Sequence, residues 1–424
     1  MKKCVFCGQE FEELSEEHII PNCICGRLKS KNLLCTTCNS ELGDSIDLAF
    51  DGVYNDIINK FAIKRERGES NPSISVDEKT GKVYQYLPDG SYEFAKPHIE
   101  VEDKDENTFV FKIEANPNSK KDVKIAVSRK IYELREELSK KGIDYKSKIK
   151  EIQKNIDENW DKIAKNKVED KSLVLKSELL FGGKGVALAV LKMAFLFFKD
   201  VKPNITIDDE EIIHILKEKS DDIWNKCVFY SNEKDLFEIV PDDISHYIFV
   251  RGSKQYKKIV VYIQLFSISL YVCILSNKYE GEDFNFGYGF NLLSQSQFTP
   301  VCYEIENLDN ILTEYDYKHH SEQQQKLTNK YLDRIFKLYY KLNPSKKWDE
   351  IQLKVRREIE NIIGEDLANT PRIQSCIEIF GNLGHYHFTE ESTQEQQDEI
   401  AKNLAYIILD HIIKDALSNY IKKE

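Results

Sequence analysis

The spacing of apolar residues divides the first part of the chain into a helix followed by short strands. From residue 51 to residue 67 apolar side chains recur at helical spacing, and Gly68 ends the run. Strand patterns follow at residues 74–76, 83–87 and 92–94, separated by turn sequences rich in Asp, Gly and Pro. This order predicts antiparallel hairpins after the helix.

Two apolar stretches mark the buried centre of the later chain. Residues 186–198 contain Lys192 and number 13, whereas a bilayer-spanning helix needs about 20 apolar residues. They therefore predict a buried helix. Residues 258–275 form a β-branched and aromatic run that is interrupted at Ser267, which predicts two adjacent antiparallel strands at the centre of a second sheet.

Helical spacing also recurs in four other segments, namely 120–154, 171–199, 208–226 and 321–424, the last with breaks near Pro344, Pro371 and residues 381–384. The fold class predicted is α+β: a small N-terminal unit, a mixed α+β body with an antiparallel sheet, and a helical C-terminal region. The domain boundaries expected from these patterns are 1–50, 51–170, 171–310 and 311–424.

Charge narrows the classes of partner. The 424 residues carry 60 Lys and Arg against 72 Asp and Glu, a net charge of -12, which excludes a uniformly basic coat for nucleic acid. Residues 120–154 differ, with 12 basic against 6 acidic side chains. They could form a basic face for nucleic acid or a solvated helix of mixed charge. The N-terminus lacks the apolar segment of a secretion signal, so a cytoplasmic location without membrane attachment is expected.

The cysteines point to a metal. Six of the ten lie in the first 38 residues, and four of these form two CxxC pairs separated by 27 residues: Cys4, Cys7, Cys35 and Cys38. Four thiolates brought to one point satisfy a structural Zn²⁺, which would stabilise a small unit with few large apolar side chains. The alternative of four free core thiols is poor because both pairs lie in polar sequence.

The residues between the pairs suggest hydrolytic chemistry. His18 is the only side chain of this unit whose ordinary pKa lies near 7, which makes it the natural general base. Glu17 beside it and Asn39 after the second pair offer hard oxygen ligands for a divalent cation such as Mg²⁺ or Mn²⁺.

The order of these features resembles the HNH endonuclease family, in the subgroup whose ββα-metal fold is held by two CxxC knuckles. The resemblance covers about residues 4–43. It implies that His18 activates water, that Asn32 holds the loop and orients the base, and that Glu17 and Asn39 bind the catalytic metal. Cys23 and Cys25 depart from the family pattern of small residues and glycine; they are packing thiols or alternative zinc ligands.

The resemblance further implies a nucleic-acid partner, with DNA as the default because the family mostly acts on DNA. Arg27, Lys29 and Lys31 lie in the loop between the two motif strands and are expected to contact phosphates. Similar HNH domains followed by long C-terminal regions occur in bacterial defence systems, which suggests that a protein partner, a ligand or homodimer formation controls the activity. The alternative is a catalytically inactive zinc-binding scaffold.

Overall fold

A computed structural model describes residues 1–77, 80–87, 92–105, 108–163, 175–176, 182–229, 235–238, 242–303, 317–368, 370–384 and 394–421. The chain divides into two compact units. The first comprises Met1–Ser70, Leu179–Ile351 and Ile379–Leu404, and the second comprises Asn71–Glu178, Gln352–Glu378 and Ala405–Glu424. The predicted α+β class is confirmed; the four domain boundaries expected from sequence stay predictions.

The N-terminal segment of the first unit consists of two short hairpins and a helix, followed by a second, shorter helix. Its elements are β1 (Lys2–Lys3), β2 (Glu10–Phe11), β3 (Glu17–His18), β4 (Lys29–Ser30), α1 (Thr36–Ser45) and α2 (Asn55–Lys60). β1 pairs with β2, and β3 pairs with β4, both antiparallel. The order β3, β4, α1 is the ββα arrangement that places residues from two strands and one helix next to each other.

The helix predicted over residues 51–67 is shorter in the structure. α2 ends at Lys60, and Ala62 adopts a left-handed backbone conformation (φ 49°). The Ile63 N–H then donates to the Ile58 carbonyl at 2.9 Å, which closes the helix in a Schellman-type turn. Residues 64–67 are therefore free to run along the β3–β4 hairpin instead of continuing the helix.

The turn between β3 and β4 contains a short 3-10 helix, Asn22–Ile24, followed by Cys25 in the left-handed region (φ 64°). Gly26 then passes so close to the preceding chain that an added Cβ would lie 1.9 Å from the Ile20 carbonyl oxygen. Only glycine fits this approach, so the tight return of the hairpin depends on this position.

The second unit begins with the predicted strands. β5 (Ser73–Asp77), β6 (Val83–Tyr86) and β7 (Tyr92–Phe94) confirm them, and β8 (His98–Asp105) pairs with β9 (Thr108–Glu114). The predicted basic helical segment is confirmed as three helices: α3 (Lys120–Glu133), α4 (Arg135–Lys140) and α5 (Tyr145–Ile163). The helix predicted over residues 171–199 is wrong at its start, because β10 (Leu175–Lys176) pairs as a strand with β5.

The first unit resumes with the helix predicted to be buried. α6 (Lys184–Val201) is followed by α7 (Asp209–Glu218) and by a six-stranded antiparallel sheet in the order β11-β14-β13-β12-β15-β16. The strands are β11 (Cys227–Phe229), β12 (Ser245–Ser253), β13 (Lys258–Leu265), β14 (Ser269–Ser276), β15 (Phe284–Asn291) and β16 (Ser296–Phe298). β13 and β14 confirm the two predicted strands, and Phe266 and Ser267, both in the left-handed region, make the turn between them.

The C-terminal part of the chain is helical, as predicted. It comprises α8 (Tyr317–Leu342), α9 (Pro344–Ile363), α10 (Glu365–Ala368), α11 (Pro371–Gly384) and α12 (Gln394–Ile421). The two prolines that suggested breaks occupy the first positions of α9 and α11, where a missing N–H is not needed for the helix. Within the described ranges, every helix falls short of the length or apolarity that crossing a membrane requires.

One hydrophobic core joins the N-terminal segment to α6 and the six-stranded sheet. Tyr54 stacks on Phe266 with ring centroids 4.4 Å apart, and its hydroxyl lies 3.3 Å from that of Tyr271. His246 of β12, which is fully buried, donates from Nε2 to the Ile24 carbonyl at 2.7 Å and accepts the Phe266 N–H at Nδ1. The hairpin turn is thus anchored to the sheet.

Candidate active site and metal centre

The four cysteines predicted to bind zinc come together at one end of the N-terminal segment. The Sγ atoms of Cys4, Cys7, Cys35 and Cys38 all lie within 4.8 Å of one another. The Cys7–Cys35 separation of 4.0 Å is close to the edge of about 3.8 Å that Zn–S bonds of about 2.3 Å give in a tetrahedron. The Cys35 N–H points at Cys4 Sγ and the Cys38 N–H at Cys35 Sγ, as suits thiolate ligands. The cluster fits zinc.

Cys23 and Cys25 lie outside this cluster. Burial raises the pKa of Cys23 to about 12 and that of Cys25 to about 11, so both stay protonated at neutral pH. The Cys23 thiol donates to the Asp47 carbonyl at 3.7 Å. Of the two alternatives that the sequence left open, the packing thiol is the one that the structure favours.

The predicted base, His18, lies on β3 opposite Lys29 of β4. Its side chain is 12% exposed, and its Nε2 lies 2.8 Å from Glu66 Oε2. Burial is the largest influence on the ring and lowers the pKa of His18 below its ordinary value, while Glu66 acts in the opposite direction. The bond to Glu66 leaves Nδ1 as the ring nitrogen available for chemistry.

Glu66 was not predicted as a site residue. It lies in the extended segment after α2, where its other oxygen, Oε1, accepts from Lys29 Nζ at 2.6 Å. Lys29 and then His18 hold the pKa of Glu66 at about 2. The sequence carries no motif that marks this position, because the contact joins residues that are 48 apart in the chain.

Glu17 points into the protein. It is 3% exposed, and its Oε1 lies 2.6 Å from the Nζ of Lys192, a buried residue of α6. The same ammonium lies 2.7 Å from Asp47 Oδ2. Burial raises the pKa of both carboxyls above their ordinary values, although Lys192 acts in the opposite direction. Two carboxylates thus share one lysine, and neither Asp47 nor Lys192 was predicted from the sequence as part of the site.

The two asparagines are placed differently. Asn39, on α1, donates from Nδ2 to Ser15 Oγ at 3.0 Å and to the Glu16 carbonyl at 3.1 Å, which leaves Oδ1 as the oxygen that can bind a cation. Asn32 is exposed, and its Oδ1 accepts from Lys2 Nζ at 2.6 Å. The structure brings Asn39 to the cavity beside His18 but does not bring Asn32 there.

The predicted basic loop is largely occupied by internal contacts. Arg27 donates to the Lys64 carbonyl at 2.7 Å and to Gln295 at 3.0 Å. Lys29 pairs with Glu66 and Glu16, and Lys31, which is 70% exposed, lies 3.7 Å from Glu16. Of these three cations, Lys31 is therefore the one best exposed to a phosphate.

A cavity of about 450 Å³ collects the reactive groups, with Glu17, His18, Asn39, Asp47 and Arg67 among its lining residues. Arg67 is exposed and close enough to His18 to lower the pKa of that ring. The cavity thus combines a histidine, carboxylate and amide oxygens, and one arginine. That combination is suited to hydrolysing a phosphate ester with the help of a divalent cation.

Comparison with known proteins covers the same part of the chain. Residues 4–54 match the family model described as HNH endonuclease. Neither the curated proteins nor the solved structures give a match. With the zinc cluster and the ββα order already described, this match identifies the N-terminal segment as an HNH endonuclease domain.

Proposed function

We propose that the protein is a metal-dependent endonuclease that hydrolyses phosphodiester bonds of nucleic acid, with DNA as the preferred substrate. The observation that carries the proposal is the single cavity in which His18, Glu17 and Asn39 lie together. The family match supports a nuclease and a nucleic-acid partner. Hydrolysis needs a deprotonated water and neutralisation of charge on the phosphate.

His18 acts as the general base through Nδ1, because Nε2 is engaged by Glu66. Burial lowers the pKa of His18, which keeps the ring neutral and able to accept a proton near pH 7. The water loses its proton to Nδ1, and the resulting hydroxide attacks the phosphorus while the bond from phosphorus to the leaving oxygen breaks; that oxygen then takes a proton from solvent.

The donor set around the base fits Mg²⁺ or Mn²⁺. Asn39 Oδ1, Glu17 and Asp47 offer hard oxygens, and no described residue donates a hydrogen bond to Asp47 Oδ1, a buried atom. Glu17 Oε1 and Asp47 Oδ2 lie 2.6 and 2.7 Å from Lys192 Nζ, so the two carboxylates stand on either side of one ammonium. When bound, a divalent cation neutralises developing negative charge and stabilises the leaving oxygen.

Arg67 and Lys31 are the cations proposed to position the substrate. Arg67 lines the cavity, and Lys31 is exposed beside β4. The basic helices α3 and α5 contribute less, because Lys120 and Lys124 pair with Asp157, and Lys148 pairs with Glu151. Charge reversal at Lys140, Lys141, Lys146 and Lys148 is expected to leave the affinity for DNA and its salt dependence nearly unchanged.

The test is plasmid cleavage by the purified chain with Mg²⁺ or Mn²⁺, run beside His18→Ala and His214→Ala. His214 is an exposed residue of α7, so its loss should leave cleavage intact. We expect His18→Ala to lose at least 100-fold in rate, as removal of a general base does. Full cleavage by His18→Ala would refute the mechanism. Single-stranded DNA and RNA substrates decide the substrate class, and inactivity on all three would favour the zinc scaffold.

A further inference from the structure

The residues after α2 complete the surroundings of His18 from outside the part of the chain that matches the HNH family model. That match ends at residue 54, whereas Glu66 lies 2.8 Å from the His18 ring. The two oxygens of Glu66 engage a cross-strand pair: Oε2 meets His18 of β3, and Oε1 meets Lys29 of β4. One carboxylate thus bridges the two strands of the β3–β4 hairpin.

The backbone of this segment is held by side chains from the turn of the same hairpin. Asn22 Oδ1 accepts the N–H groups of Glu66 and Arg67 at 3.1 and 3.2 Å, and Asn22 Nδ2 donates to the Arg67 carbonyl at 2.9 Å. Arg27 donates to the Lys64 carbonyl at 2.7 Å. Four hydrogen bonds therefore fix the backbone of residues 64–67 against the turn and hold Glu66 beside His18.

We propose that Glu66 is a positioning residue for the base, forming a carboxylate–histidine dyad with His18. This inference rests on the proposed function. By accepting a hydrogen bond from Nε2–H, Glu66 selects the tautomer that has its lone pair on Nδ1 and fixes the plane of the ring. When Nδ1 takes the proton of the attacking water, the carboxylate stabilises the imidazolium and itself remains ionised. No proton leaves the pair in this step.

The competing explanation is a surface ion pair between Glu66 and Lys29 that meets His18 incidentally. Such a pair would add little, because both side chains are partly exposed. It would predict that removing Glu66 changes neither the tautomer of His18 nor the turnover number.

The experiment uses the full zinc-bound chain with ¹⁵N-labelled histidine and compares the wild type with Glu66→Ala and with Glu69→Ala. Glu69 is an exposed glutamate of the same loop. Long-range ¹H–¹⁵N spectra at one alkaline pH, without added Mg²⁺, report the tautomer; the His18→Ala spectrum assigns the signals. We expect the Nε2–H tautomer in the wild type and in Glu69→Ala, and a mixture of tautomers in Glu66→Ala.

Cleavage kinetics provide the second readout. We expect Glu66→Ala to lower kcat at least tenfold while KM stays within twofold, because the residue acts through the base and not on substrate binding. Asn22→Ala should lower kcat in the same direction by releasing the loop. An unchanged tautomer in Glu66→Ala overturns the proposal, whether or not kcat falls. If the wild type does not cleave, the proposed function fails while the spectra still decide the dyad.

Discussion

The charge of Lys192 leads to a prediction about the stability of the first unit. Its ammonium lies 2.6 Å from Glu17 and 2.7 Å from Asp47, and the lysine is 1% exposed. At an effective dielectric constant of about 20, each contact corresponds to about 6 kcal/mol of Coulomb energy before desolvation is counted. Lys192→Met removes the cation that both carboxylates contact. Breaking a buried ion pair in this way lowers the free energy of unfolding by about 3–5 kcal/mol.

Hydrogen exchange of the amides in α6, followed by mass spectrometry, measures the loss, because α6 lies in the core of the first unit. A loss of about 3–5 kcal/mol accelerates exchange roughly 200- to 5,000-fold. Lys199→Met on the same helix is the matched control: Lys199 pairs with a single carboxylate, Asp209, which is 32% exposed. Its effect should stay under about 2 kcal/mol.

The pH dependence of the stability loss in Lys192→Met distinguishes this electrostatic effect from a packing defect. Burial already raises the pKa of Glu17 and of Asp47, and removing the lysine raises each pKa further. A carboxyl whose folded pKa exceeds the unfolded one gives stability at low pH and loses it as the pH rises through the folded pKa. The difference in the free energy of unfolding between Lys192→Met and the wild type should therefore become smaller at acid pH.

Neutralising the two carboxylates should recover most of the lost stability, which the triple variant Lys192→Met, Glu17→Gln and Asp47→Asn tests. If exchange in Lys192→Met accelerates less than tenfold at neutral pH, the two carboxylates do not depend on this ammonium, and the reasoning is wrong.

Three other predictions follow from the first unit. Cys35→Ser should abolish the single tightly held zinc in elemental analysis, whereas Cys302→Ser, outside the cluster, should retain it. Burial, with Arg27 adding to it, lowers the pKa of His246 to about 4. The neutral ring therefore contributes its full stabilisation above pH 6.5, and the free energy of unfolding falls by up to about 3 kcal/mol as the pH drops toward 4. In urea unfolding, His246→Gln should lose this part of the decrease in stability at acid pH. Gly26→Ala should cost several kcal/mol because its Cβ would lie 1.9 Å from a backbone oxygen, whereas Gly43→Ala, with open space on α1, should not lower the melting temperature.

The zinc cluster could be predicted because its signal is local, and the strands β3 and β4 were implied by the resemblance to the HNH family. Two CxxC pairs place four thiols by spacing alone, and the His18 strand lies between them. Strands β13 and β14 were equally local, since an apolar run with one interruption defines both. The C-terminal helices followed from periodicity and two prolines.

The rest of the site depended on contacts that no local pattern marks. Lys192 appeared in the sequence as a charge that argues against a membrane helix, and its role emerges only because α6 packs against the N-terminal segment. Glu66 fell inside a predicted helix that in fact ends at Lys60, because Ala62 adopts a conformation usually left to glycine or asparagine. The strand β10 was missed because its partner, β5, lies about a hundred residues earlier.

The contacts that complete the HNH domain also set the order in which it can mature during synthesis. The counter-charge of Glu17 is 175 positions away, since Lys192 follows it by that distance, and the anchor of the hairpin turn, His246, lies 222 residues beyond Ile24. His18 is synthesised long before either of these two partners. The contacts of Glu17 with Lys192 and of Ile24 with His246 can therefore both form only after more than half of the 424 residues have been synthesised.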